Sequence, residues 1–380
     1  MHAADVIVLG VGGMGASACA ALAARGARVV GLDRFPPAHD RGSSHGATRL
    51  IRQAYFEHPD YVPLLLDAYA LWQALEEASG RRLLMRSGLL LAGRPDSEAV
   101  AGARLAARLH ALPLETLAPS EAARRFPIFR LADDEIALFE QAAGHLLVEE
   151  CVRAFAAAAL RHGTRLESGV TVTGWREEGA GIAVDTERGT YRADRLVITP
   201  GAWAPDLLSL PGMPFTVLRK SLFWFRADAS RAADFAAGSL PCFAFDSPAG
   251  FYYGFPDVDG TGVKMAEHTG GTPVADPLSL SRLLDEAELS RVAAVARDRL
   301  PALGTTLAAH AACMYTMTPD AHFCLGLLPG HPRVAVAAGF SGHGFKFASV
   351  IGAILADLAL DGTTPRPIAF LAPDRFARGG

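Results

Sequence analysis

The chain has 380 residues, 50% of them hydrophobic and 20% charged, which is enough for two domains or one large domain with an insertion. A formal net charge of -4, a pI near 6.3 and no lysine- or arginine-rich tract argue against nucleic acid or an anionic membrane as partner. Five widely spaced cysteines, odd in number and without a CxxC pair, argue against a zinc site or a secreted disulfide framework and point to reducing cytoplasm.

Val6 to Ala24 is an uncharged run of 19 residues, the length of a membrane span. It is Gly/Ala-rich, Asp5 precedes it, and no basic n-region is present, so soluble structure is expected rather than a span or signal peptide. The run divides into a buried strand Asp5–Leu9, the glycines Gly10, Gly12 and Gly15, and a helix closing at Gly26. Ala27–Asp33 reads as a second buried strand. It ends in an acid 23 residues after Gly10, where a ribose-binding carboxylate belongs. Free N–H groups and the helix dipole at such a turn favour a pyrophosphate. Strand, glycines, helix, strand and acid in register predict a dinucleotide site. Arg34 follows directly, but Asp33 would repel the 2′-phosphate of NADP.

Residues 60–80 place Leu64, Ala68, Leu71, Trp72 and Leu75 at helical spacing, with Pro63 early and Gly80 closing. Strand signals follow near Leu83–Ala92, then a helix near Glu98–Leu112 and another over Glu149–His162. RLESGVTVTGW and RLVITPGAW return to short strands and a glycine turn. From about Phe215 to Ala312, TVLRKSLFWFRA, CFAFDSPAGFYYGFPD and GTGVKMAEH are β-type runs between turn residues, the pattern of a largely antiparallel sheet. Lys264, Ala266 and His268 share one face of a predicted strand, an alternation that a solvent-exposed strand would also show. Phe345–Gly362 is an apolar helix entered through glycines.

Only three of the 36 basic residues are lysine: Lys220, Lys264 and Lys346. A coding bias toward arginine accounts for that plainly, and under such a bias a lysine persists where guanidinium cannot replace a compact ammonium. Lys346 lies in GFSGHGFKF, which brings backbone N–H groups, His343 and a helix N-terminus together. No GxSxG elbow, P-loop, HExxH or paired-carboxylate constellation stands out, and no metal site is expected. The chemistry should therefore belong to a cofactor.

The stretches GVGGMG, GSSHGATRLIRQAY (Gly42–Tyr55), YYGFP (Tyr252–Pro256), VKMAEH (Val263–His268), CMYTMTPD and GFSGHGFKFAS together resemble the monomeric sarcosine oxidase and N-methyl-tryptophan oxidase family of flavoproteins. They run from residue 10 to 349, essentially the whole chain. The resemblance implies FAD bound by Gly10, Gly12, Gly15, Asp33, Thr48, Arg49, Gly342, His343, Gly344 and Lys346. It also implies covalent attachment of the flavin through the sulfur of Cys313, while Cys19, Cys151, Cys242 and Cys324 are read as small buried hydrophobes. By the same resemblance Arg49 lies against the flavin ring, and Arg52 and Lys346 grip a substrate carboxylate. Lys264 is assigned to oxygen activation, His268 to the substrate side of the flavin, and Tyr253 and Tyr315 to the cavity lining. Where the family reads GSHHGDTR, this chain has Ser44 and Ala47, a departure that bears on flavin-side hydrogen bonds and leaves both arginines in place.

The expected fold is α/β (α+β overall). A Rossmann-like FAD-binding domain over 1–84, 145–214 and 317–380 is interrupted by a substrate domain over 85–144 and 215–316, built on a largely antiparallel sheet. The expected activity is FAD-dependent oxidation by O2 of N-methyl (secondary) L-amino acids such as sarcosine or N-methyl-L-tryptophan. The products would be the demethylated amino acid, formaldehyde and H2O2. LRKSLFWF and GHGFKFASVIG lean toward the N-methyl-tryptophan enzyme. A cyclic imino acid such as pipecolate, or a glycated amino acid, stays open as substrate. A non-catalytic dinucleotide-binding module is the reading from another class. A monomer is compatible with the family, and the sequence leaves the oligomeric state open.

Overall fold

The computed structural model describes residues 4–377; residues 1–3 and 378–380, at the outer ends of the expected FAD-binding segments, lie outside them. The uncharged run near the start becomes a strand, Ala4–Leu9, a glycine turn and a helix, Gly13–Ala24. Among the described residues no helix is long and apolar enough to cross a membrane.

Ala4–Leu9 lies between Val29–Leu32 and Gly189–Ile198, parallel to both. Arg165–Glu167 extends this sheet beyond Val29–Leu32, and His331–Ala338 extends it beside the C-terminal half of Gly189–Ile198. The central strand is buried on both faces, which is why it reads as an unbroken apolar run. Val6 and Val8 pack toward the helices Gly13–Ala24, Val148–Arg161 and Ala348–Asp361, while Ile7 and Leu9 join the core on the opposite face. An antiparallel ribbon, Val172–Glu178 with Gly181–Thr186, leaves the N-terminal half of Gly189–Ile198. This is a Rossmann-like α/β unit.

The second large sheet has nine strands and is antiparallel except where Cys242–Ser247 runs parallel to Leu89–Gly93. Its site-bearing region orders Thr306–Met317, Thr216–Arg226, Val263–Glu267 and Gly250–Phe255 side by side. Because side chains alternate along a strand, the two faces of this region differ. Phe223, Phe225, Val263 and Met265 enter an aromatic core, whereas Leu222, Trp224, Ala266 and Cys313 cluster on the other side. Lys264 shares that second face and reaches Gly46 and Thr48, so this face is turned toward the dinucleotide unit. A small three-stranded sheet, Thr48–Ile51 with Gly144–Leu147 and Leu84–Met85, carries Thr48 and Arg49. These two residues therefore sit on a short strand rather than on a surface loop.

Candidate active site

At Gly10 the backbone turns with φ +87° into the helix Gly13–Ala24. A Cβ on Gly15 would lie 1.8 Å from the Gly10 carbonyl oxygen, so only glycine lets strand and helix meet this closely. The result is a helix N-terminus whose positive dipole end faces the cavity that Gly12, Gly13 and Met14 line, an environment that suits an anion. Asp33, at the end of the next strand, accepts from Val11 N–H at 2.6 Å and from Phe35 N–H at 2.8 Å, which fixes its carboxylate beside the turn. Of the two departures from the family pattern, Ser44 accepts from Gly13 N–H through Oγ at 3.3 Å, and Ala47 adopts φ +66°. Glu149 accepts from the N–H groups of Gly46 and Ala47 and holds that turn.

One cavity runs from Gly10, Gly12 and Asp33 past Trp203 to Arg49, Arg52, Tyr253, His268, Tyr315 and Lys346. Gly342, His343 and Gly344 line the same wall. Gly15 lies within the helix, and Thr48, Lys264 and Cys313 are buried, each no more than 2% exposed. Trp203 Nε1 is a buried donor with no protein partner, and its ring lines this cavity with the Phe35 ring 6.1 Å away and the Arg34 guanidinium 5.7 Å from its centroid. An orphaned buried donor in a cavity calls for an acceptor on a ligand.

Cys313 is distinct among the cysteines. Arg49 donates from Nη2 to its sulfur at 3.3 Å and to the Ser43 carbonyl at 2.8 Å. Burial pushes the thiol up, but the guanidinium of Arg49 and the neighbouring His45 outweigh it and bring Cys313 down to about 6. At Cys242 and Cys324 burial outweighs the opposing pull of Ser87 and Lys264 and of Arg375, and pushes both thiols up to about 12.

Arg52 is buried between two rings, its guanidinium 4.3 Å from the Tyr55 centroid and 4.4 Å from that of Phe56. It donates to the Ala54 carbonyl and to both oxygens of Glu57. Burial pushes the Glu57 carboxyl up, yet Arg52, His343 and Lys346 together hold it down at about 2. Sequence reasoning missed Glu57, although an acid five residues after an arginine in an apolar stretch was a visible signal. Lys346 donates to the His343 carbonyl at 2.7 Å and to the Tyr55 hydroxyl at 3.4 Å; burial and Arg52 lower it to about 7. The Ala321 carbonyl can only accept, so His343 carries its proton on Nε2 and takes the Tyr55 hydroxyl on Nδ1 at 2.6 Å. Sequence reasoning missed this role of Tyr55 as well.

In the same cavity, the Tyr315 hydroxyl lies 3.4 Å from that of Tyr253 and 3.3 Å from His268 Nδ1. His268 stands one residue past the end of Val263–Glu267 rather than inside the strand. Burial, with help from His343, lowers it to about 3, so the imidazole is neutral. Lys264 is covered by the backbone it binds: its ammonium donates to the carbonyls of Gly46 at 2.6 Å and Thr48 at 2.8 Å and to Thr48 Oγ1 at 3.2 Å. Burial, then Arg49, push it well below the usual lysine range.

The profile of the family described as FAD dependent oxidoreductase matches residues 5–358. The monomeric sarcosine oxidase of Streptomyces avermitilis is 44% identical over 377 residues, covering 98% of each chain. An N-methyl-L-tryptophan oxidase of Yersinia pestis is 35% identical over 376 residues, covering 98% of this chain and 99% of that one. Among solved structures, NikD, an unusual amino acid oxidase essential for nikkomycin biosynthesis, superposes with a TM-score of 0.85 at 27% identity over 98% of both chains. The glycine turn, the orphaned Trp203 donor and the long cavity between the two sheets are what an elongated dinucleotide requires, and the residues present fit FAD. By sequence and by fold the chain belongs to the FAD dependent oxidoreductases, among the monomeric sarcosine and N-methyl-L-tryptophan oxidases, and it is a flavin amine oxidase.

Proposed function

We propose that this enzyme oxidises N-methyl L-amino acids of the sarcosine type. Secondary amine, O2 and water would give primary amino acid, formaldehyde and H2O2. The observation that carries the reading is one cavity lined both by two buried basic side chains, Arg52 and Lys346, and by the neutral His268 with the hydroxyl-bearing Tyr253 and Tyr315. The basic pair suits a carboxylate, and the uncharged imidazole and hydroxyls suit a neutral amine. When bound, FAD supplies the two-electron acceptance and its passage to O2. The protein's role is to anchor the carboxylate with Arg52 and Lys346, to orient the amine against Tyr253, Tyr315 and His268, and to place Arg49 beside the flavin site.

The low-lying thiol of Cys313 beside Arg49 supports covalent attachment of the flavin at this sulfur. Cys313 would hold the flavin through its sulfur, and forming that bond to a flavin methyl group would release two electrons and two protons for O2 to accept. Lys264 is taken as the oxygen-side cation: burial and Arg49 act against its charge, but the Gly46 and Thr48 carbonyls and Thr48 Oγ1 offer three acceptors that suit a full ammonium in a dry niche next to Arg49's strand. The division into an FAD-binding domain (1–84, 145–214, 317–380) and a substrate domain (85–144, 215–316) is supported by the two large sheets. Their strands fall on either side of these boundaries, with Thr306–Met317 overrunning by one residue. All five cysteines are free and buried, which supports a cytoplasmic site of action.

The test is anaerobic reduction of the bound flavin, and H2O2 release in air, with sarcosine, N-methylalanine, N-methyltryptophan, pipecolate and a glycated amino acid. Flavin reduction by N-methyl amino acids is the expected result. No reduction by any N-methyl amino acid, with reduction by pipecolate or a glycated amine, would overturn it.

A further inference from the structure

Each of the three lysines is buried, and each donates to main-chain carbonyls of a segment that carries a cavity residue. Lys264 binds Gly46 and Thr48 beside Arg49, and Lys346 binds His343. Lys220, for which the mechanism so far has no use, does the same for His268. It lies on Thr216–Arg226 directly opposite Cys313, is 4% exposed, and donates to three successive carbonyls, those of His268 at 3.0 Å, Thr269 at 2.7 Å and Gly270 at 3.1 Å. All three of its protons are used. Gly271, at φ +118°, lets the turn close over the lysine stem; a Cβ there would lie 3.0 Å from the Arg219 carbonyl oxygen and 3.1 Å from Lys220 Cδ. The same ammonium lies 5.2 Å from the centroid of the Tyr315 ring, whose hydroxyl meets both His268 and Tyr253.

We propose that Lys220 is a positioning residue for the substrate wall: its ammonium fixes the 268–270 turn and the Tyr315 ring together, and so sets where the His268 imidazole and the Tyr315 hydroxyl meet. The inference rests on the reading of that wall as the amine-orienting side. A compact ammonium directs three protons at three converging carbonyl dipoles, which a planar guanidinium cannot do. In a chain that otherwise uses arginine for its positive charge, that geometry is a reason for lysine here. Removing the ammonium leaves buried carbonyls without partners and frees the turn.

The test uses the flavin-loaded enzyme with Lys220→Met, Lys220→Gln and Lys220→Arg. Crystal structures and anaerobic reduction by sarcosine are compared with the reaction of the reduced enzyme with O2. In Lys220→Met the His268–Tyr315 contact should open, and reduction should slow by about tenfold while the O2 reaction keeps its rate. Glutamine, which offers two N–H donors to the same carbonyls, should recover most of the reduction rate. Arginine, which keeps the charge and loses the geometry, should not. An unchanged 268–270 turn in the Lys220→Met crystal, or equal slowing of both half-reactions, would overturn the proposal. If the methionine variant does not fold, full activity in Lys220→Arg would overturn it instead. If sarcosine fails to reduce the wild-type flavin, the functional reading fails, and the crystal comparison still decides the role of Lys220.

Discussion

Arg52 Nη2 lies 2.8 and 2.6 Å from the two carboxylate oxygens of Glu57, so the arginine proposed to hold a substrate carboxylate already holds one of the protein's own. A substrate must displace Glu57 or share Arg52 with it. Glu57→Gln should therefore tighten the binding of a small carboxylate such as acetate by about 1.5–3 kcal/mol, the range for hydrogen bonds to charged groups. Burial raises Glu57, but its cationic neighbours bring it to about 2, so it stays ionised at any working pH; what varies across neutral pH is Lys346, lowered to about 7, so acetate should bind more weakly as pH rises through that value. Titration of flavin absorbance measures the binding. Weaker binding in the variant would mean that Glu57 helps to build the anion site.

Cys313 gives a pH prediction. A thiol lowered to about 6 is a thiolate above that pH and a thiol below it, so covalent incorporation of FAD into apoprotein should fall away as pH drops through about 6. Arg49→Gln removes a cation that favours the thiolate, so the same limb should move to higher pH. Acid precipitation separates bound from released flavin at each pH. In Cys313→Ala all flavin should be released; acid-stable flavin in that variant would place the linkage elsewhere.

Lys264→Met should affect two measurements at once. Oxygen reduction creates negative charge where none existed, and removing a preorganised positive group from a dry site typically costs about 10²–10³ in rate. Reduction by substrate should depend less on Lys264, because Arg52 and Lys346 face the carboxylate. The ammonium also satisfies the Gly46 and Thr48 carbonyls, so the variant should lose about 1–3 kcal/mol of stability. Stopped-flow of each half-reaction, together with a denaturant titration, separates these effects. Equal slowing of both half-reactions would assign Lys264 to positioning the Arg49 strand.

Substrate size should be set by Phe56 and Phe251, whose ring centroids lie 5.3 Å apart on the cavity wall, Phe251 also meeting His268 edge-on at 5.8 Å. Both rings are only partly buried, so they separate cavity from solvent. Against the lean of LRKSLFWF and GHGFKFASVIG toward the N-methyl-tryptophan enzyme, these two rings narrow the cavity, and the wild-type enzyme should favour sarcosine over N-methyltryptophan. Phe251→Ala, which leaves the Arg52 stack intact, should shift the ratio of kcat/KM toward the bulky substrate by about tenfold, the order expected when a side chain's worth of space opens. An unchanged ratio would put the size filter elsewhere.

The residues legible in the sequence are those whose signal is local. Gly10, Gly15 and Asp33 announce themselves by spacing within one βαβ unit, and alternation along Val263–Glu267 puts Lys264 and Ala266 on one face, with His268 one residue beyond the strand. Lys220 and Glu57 were not legible. The Lys220 ammonium meets carbonyls 48 to 50 residues away, so its rarity in the sequence marks it out while nothing local shows what it binds. Arg52 and Glu57 are close in sequence, but the backbone path that aims them at each other depends on Glu140, which accepts from the N–H groups of Gln53 and Ala54 across the molecule. Side-chain bonds to distant backbone leave no periodic trace.

The turn that carries Arg49 is strained, and that strain can be measured. Ala47 adopts φ +66°, a left-handed conformation that costs an L-residue with a Cβ about 1–2 kcal/mol and costs glycine almost nothing. The turn is over-determined from both sides: Glu149 accepts from the Gly46 and Ala47 N–H groups, and the Ala47 carbonyl accepts from Val148 N–H. Ala47→Gly removes the Cβ penalty but adds freedom to the unfolded chain, so the net gain should be no more than about 1 kcal/mol. Ala47→Val, branched at Cβ, should lose more than the glycine gains. Neither change touches the hydrogen bonds of Thr48 with Lys264 or of Arg49 with Cys313, so flavin incorporation should follow stability alone. Denaturant unfolding of the two variants, read beside the fraction of acid-stable flavin, checks both halves. A glycine variant that is more stable yet loads less flavin would show that the strain itself holds Arg49 against Cys313.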